Sequence, residues 1–98
     1  MTRKVVVTAP AVADLEAIGE WILTHNPKAA ISTVSALRER CFHLADMAWV
    51  GRRVSGRSGL RRLVVGSYVM FYTVEPDTFS VIRIVHGSRD VRRLLGDA

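Results

Sequence analysis

One stretch, Leu60 to Arg89, limits what this chain can fold into. It contains three short runs, Leu60 to Val65, Tyr68 to Val74 and Phe79 to His86, all rich in Val, Ile and aromatic residues. Gly66-Ser67 and Glu75-Pro76-Asp77-Thr78 separate them. Short β-branched runs divided by Gly- and Pro-bearing turns point to an antiparallel three-stranded meander and argue against helix. Tyr68 to Val74 is apolar on both faces apart from Thr73 and the tyrosine hydroxyls, so it should be the central strand. Strict alternation along the last run sets Ile82, Ile84 and His86 on one face and Val81, Arg83 and Val85 on the other.

Upstream, Lys4-Val-Val-Val-Thr8 reads as a short strand. Thr8 is then a candidate helix cap, with Pro10 in the first turn. Asp14 and Glu16 lie early in that helix, where negative charge suits the dipole. Ala11, Leu15, Ile18 and Ile22 form an apolar stripe, with Gly19 allowing a close approach. The helix is expected to end near His25. Asn26-Pro27 restarts the chain as cap and first helical residue, and a second helix runs to about Met47. Ala30, Val34, Leu37, Cys41 and Leu44 give it a continuous seam. A joint this short makes the two helices an antiparallel hairpin whose apolar face covers one side of the sheet. Ala48 to Gly59 reads as a loop. The expected class is α+β, in the order β-α-α-β-β-β, with an antiparallel sheet under an N-terminal helical hairpin. Residues 1–98 form a single domain, and 90–98 is either a flexible tail or one or two helical turns.

The net charge of +5 is unevenly placed. Residues up to 50 balance five bases (Arg3, Lys4, Lys28, Arg38, Arg40) against five acids. Residues 51 to 98 hold nine arginines, no lysine and four acids. Guanidinium pairs in bidentate fashion with carboxylate and phosphate, which favours an acidic or phosphate-rich partner. Codon preference would explain the missing lysine but not the asymmetry. No run is long and apolar enough for a membrane span, and the single cysteine, Cys41, demands no oxidising compartment. A cytoplasmic protein is expected. No His/Cys/Asp cluster has metal spacing, and Gly56-Arg-Ser-Gly59 lacks the context of a phosphate loop, so no cofactor is expected.

The chain resembles the RelE/ParE toxin superfamily of type II toxin–antitoxin modules over nearly its whole length. The resemblance rests on Val7 to Ile18, on the second helix, on Val65-Gly-Ser-Tyr-Val-Met-Phe-Tyr72 and on Ile82-Arg-Ile-Val-His-Gly-Ser-Arg-Asp90. The His-Gly-x-Arg-Asp ending is closer to the ParE branch. The resemblance implies a toxin silenced by a cognate antitoxin, whose acidic, otherwise disordered segment orders on binding. It implies inhibition of DNA gyrase by binding, with ribosome-dependent mRNA cleavage of the RelE kind as the alternative.

Arg61, Arg62, Arg83, Arg89, Arg92 and Arg93 are the candidate contacts to antitoxin or target. RNA cleavage needs a base, an acid and cations around the phosphorane. Here His86, Arg83 and Arg89 would have to supply them. No lysine follows Lys28 and no tyrosine follows Tyr72, which argues against RelE chemistry. We therefore commit to no catalytic residue and read His86 first as a strand-end imidazole bonded to backbone. Tyr68 and Tyr72 read as core or groove wall. Trp21 and Trp49 read as helix-packing residues before an exposed patch, and His43 as a helix-surface residue.

Overall fold

The computed structural model describes residues 3–47, 51–57 and 59–88. Strand β1 (Lys4–Val7) leads into helices α1 (Ala9–His25) and α2 (Pro27–Leu44). Strands β2 (Arg52–Arg53), β3 (Leu60–Val65), β4 (Tyr68–Val74) and β5 (Thr78–His86) follow. The sheet order is β1-β5-β4-β3-β2, with β4 in the middle as expected. The meander is antiparallel: Val65 faces Tyr68 and Val74 faces Phe79 across the two turns. Gly66 adopts a φ of 60°, which only glycine reaches without strain. β1 joins β5 in parallel, so the whole sheet is mixed. The segment read as a loop contains a short edge strand, in which Arg52 and Arg53 face Arg62 and Arg61.

Asn26 serves both helices. Its backbone N–H donates to the Ile22 carbonyl at 2.6 Å, ending α1, and its side chain accepts from Ala29 N–H to start α2. At Gly19 a Cβ would already stand 3.4 Å from Val34 Cγ2, so the helices close tightly there. Ala11, Leu15, Leu37, Cys41 and Leu44 pack onto Met70, Tyr72, Phe79, Val81 and Ile84 of the sheet. Leu60, Val69, Phe71 and Val85 form a smaller cluster with Val54 and Ile82. Side chains alternate along β4, so this second cluster lies on the face away from the helices.

Three expectations are corrected. Thr8 stands at the cap position but makes no side-chain cap. Its hydroxyl bonds instead to the Val81 carbonyl at 2.9 Å, with Ile82 O at 3.2 Å. The first turn of α1 holds no acidic residue, and the Asp14 carboxylate is engaged away from the helix end. Strict alternation fails in β5: Tyr72 faces Val81 while Phe71 faces Arg83, so Ile82 is an extra residue. This bulge lets Val81 and Ile84 both reach the helix-side core, while Ile82 and Val85 pack on the other face.

Cys41 is 1% exposed and donates weakly to the Leu37 carbonyl. Burial pushes its thiol from 9.0 up to about 11. The unfolded thiol ionises first, so its contribution is full below pH 9 and is lost as pH rises from 9 towards 11. Urea unfolding at pH 8 and pH 10 should show a loss on the order of 1 kcal/mol that Cys41→Ala removes. An equal loss in the variant would refute this origin.

Candidate functional site

β1 lies beside β5 only from Thr78 to Val81. Beyond that point the α1 side chains take over the edge of β5. Asp14 Oδ2 accepts the Ile84 backbone N–H at 2.9 Å. The same carboxylate receives Arg83 in a two-pronged pair, Nε to Oδ2 at 2.7 Å and Nη2 to Oδ1 at 2.9 Å. The side chains are only 24% and 14% exposed. The hydrogen bond to Asp14 raises the Arg83 pKa, against the effect of its partial burial. Arg83, expected as a partner contact, is thus paired inside the molecule and fixes α1 to β5.

A groove of about 1080 Å³ opens next to this pair, between the helical hairpin and the Gly66–Ser67 end of the sheet. Trp21, Tyr68, Arg83, His86 and Ser88 are among its walls. His86 is exposed, and its ring meets Tyr68 edge-on at 5.6 Å. Its Nδ1 accepts the Ser88 backbone N–H at 3.2 Å and lies 2.8 Å from the Ser88 hydroxyl. The backbone-bonded imidazole expected from the sequence is what forms. Trp21 departs from expectation. It is 61% exposed and stacks on His25 with centroids 4.0 Å apart, rather than packing between helices.

The third feature is the β2–β3 hairpin. Arg52 faces Arg62 and Arg53 faces Arg61. Like charges directly opposite are destabilising. Arg61 is half-buried and donates through Nη1 to the Gly51 carbonyl at 2.7 Å. Gly51 in turn donates its N–H to the buried Tyr72 hydroxyl at 2.8 Å. Burial raises the Tyr72 pKa, although Gly51 and Arg61 act to lower it. A Cβ at Gly51 would collide with the Tyr72 hydroxyl, so this position needs glycine. Arg52, Arg53 and Arg62 are exposed. Among the described residues there is no group of His, Cys, Asp or Glu that could hold a metal ion. No helix there is long and apolar enough to cross a membrane.

Residues 5–91 match the family model described as the ParE toxin of the type II toxin–antitoxin system parDE. The chain belongs to the ParE toxin family. Among solved structures, the chromosomal ParDE toxin–antitoxin system of P. aeruginosa is similar, with a TM-score of 0.76 and 24% identity. That match covers 87% of this chain and 96% of the other. The RelBE2 toxin–antitoxin complex of Mycobacterium tuberculosis is similar at a TM-score of 0.67 and 22% identity, covering 88% and 99%. These likenesses show the ParE/RelE fold. Among curated proteins, no relative matches in sequence.

In this ParE-family chain the three candidate arginines among the described residues are used differently. Arg62 is exposed on the sheet, Arg61 holds Gly51, and Arg83 turns to Asp14. Arg89, Arg92, Arg93 and Trp49 lie outside the described residues. Asp14, Arg52 and Arg53 were not among the site residues expected from the sequence. Asp14 and Arg83 are 69 residues apart, which no local pattern spans. The doubled Arg-Arg flanking Gly56 and Gly59 was the available signal for a hairpin.

Removing the carboxylate leaves both a guanidinium and the Ile84 N–H without it. Asp14→Ala should therefore cost about 3 kcal/mol in urea unfolding, more than Arg83→Ala. The opposite ranking would overturn the anchoring role. Arg62→Glu, which sets an opposite charge across from Arg52, should raise stability by roughly 0.5 kcal/mol. A lower melting temperature would contradict the repulsive rung.

Proposed function

We propose that this ParE-family toxin acts by binding DNA gyrase rather than by turning over a substrate, and that a cognate antitoxin with an acidic segment neutralises it. The observation that carries this reading is the state of the strand end. Arg83, one of the cations that RNA cleavage would need, is paired with Asp14, and the Nδ1 of His86 is engaged by Ser88. That arrangement suits a rigid binding surface better than general base catalysis. The antitoxin assignment is supported by the two similar structures, a toxin–antitoxin system and a toxin–antitoxin complex. Charge supports it as well, since the excess of arginine in the second half complements an acidic chain. Exposed Val12, Leu23, Ile31 and Phe42 on the helices offer such a chain apolar contacts.

Arg61, Arg62, Arg89, Arg92 and Arg93 are our candidates for contacts to antitoxin or target. Arg83 would act through its hold on β5. Purified protein should inhibit gyrase supercoiling, and His86→Ala should retain at least about half of that inhibition, because no proton transfer is required. Expression without antitoxin should raise a DNA-damage response before mRNA decay. Cleavage of mRNA that disappears in His86→Ala, with gyrase unaffected, would replace this reading with the endoribonuclease one.

A further inference from the structure

The hairpin from Arg52 to Arg62 carries five arginines, Arg52, Arg53, Arg57, Arg61 and Arg62, and no acid. Pairing concentrates four of them into two rungs. Arg62 shares its row with Phe71, which packs away from the helices, and Arg61 shares its row with the helix-side Tyr72. The Arg52/Arg62 rung and the Arg53/Arg61 rung therefore lie on opposite faces of one ribbon, with Arg52, Arg53 and Arg62 exposed and Arg61 held on the Gly51 carbonyl. Arg57 sits in the connecting turn. Gly56 and Gly59 on either side of it have φ values of 78° and 77°, and a Cβ at either would meet nothing within 4 Å.

We propose that this hairpin is a binding element for double-stranded DNA, entering the major groove and meeting phosphates on both walls. Two-stranded ribbons fit the major groove of B-form DNA, whereas the A-form major groove of duplex RNA is too narrow for side chains to read. The two-faced charge separates this ligand from an acidic peptide. A peptide strand laid on the sheet meets one rung, while a groove surrounds both. The repulsion within each rung is relieved by a ligand that brings anions to both sides. The binding is read from phosphates, so it should be insensitive to sequence. The inference does not depend on gyrase being the target. An acidic antitoxin segment lying over Arg52 and Arg62 would compete for the same surface.

The test is fluorescence anisotropy of the full chain with a labelled DNA duplex of about two helical turns, as salt rises from about 50 to about 200 mM. Micromolar affinity with a steep salt dependence is expected. Arg52→Ala, Arg53→Ala and Arg62→Ala combined should weaken binding about tenfold or more and reduce the salt slope by about three. This triple variant leaves Arg61 on Gly51, so the hairpin keeps its anchor. Arg62→Glu should remain folded, by circular dichroism and melting temperature, and bind more weakly than Arg62→Ala. The proposal is overturned if the wild-type chain does not bind at the low salt, or if the triple variant binds like wild type. It is equally overturned if an RNA duplex of the same sequence, or a polyglutamate peptide, binds as tightly.

Discussion

β5 runs on to His86 after β1 has stopped at Val81's partner, Val7, and the bare edge that results has to be closed by side chains. Backbone donors and acceptors left unpaired there would destabilise the sheet. The start of α1 and the residue before it supply the closure. The Thr8 hydroxyl covers the carbonyls of Val81 and Ile82, and Asp14 takes the Ile84 N–H. Arg83 then neutralises the carboxylate that has been drawn into a half-buried place. With α1 held this way, tight closure at Gly19 positions α2, and the two helices bury one face of the meander. The groove wall containing Arg83 and His86 is set by the same contacts.

Arginine plays two opposed roles in this molecule. Arg83 is matched by a carboxylate in good bidentate geometry and holds elements together. On the β2–β3 hairpin arginine faces arginine across the ladder. The first arrangement strengthens the scaffold; the second weakens it locally and creates a strong field at the sheet edge. Tyr72 and Gly51 limit the damage, because the loop is fastened to the core phenol close to where repulsion acts.

Much of this fold was legible in local patterns. β-branched runs and Gly or Pro turns marked the meander, and seven-residue apolar spacing with Asn26-Pro27 marked the helical hairpin. The bulge was not legible. Ser80 to His86 reads equally well with or without an extra residue at Ile82, because both faces of β5 accept apolar side chains. Nor could periodicity find the Asp14–Arg83 pair, which forms only once distant segments meet. Thr8 looked like a cap because its position is right, but its hydroxyl donates to β5 carbonyls and accepts no helix N–H. Trp21 shows the reverse failure, since a large aromatic near an apolar stripe need not be buried if its face finds a neighbouring imidazole.

The parallel pairing of β1 with β5 has a consequence for the timing of folding. Lys4 lies beside Thr78, so the first strand finds its hydrogen-bonding partner only after both helices and the first strands of the meander have been made. The helical hairpin can form early from local contacts, but closing so long a loop is entropically slow. During synthesis, nascent chains would carry an assembled hairpin and no finished sheet. A protein with toxic activity built on this topology would stay inert on the ribosome until β5 emerged.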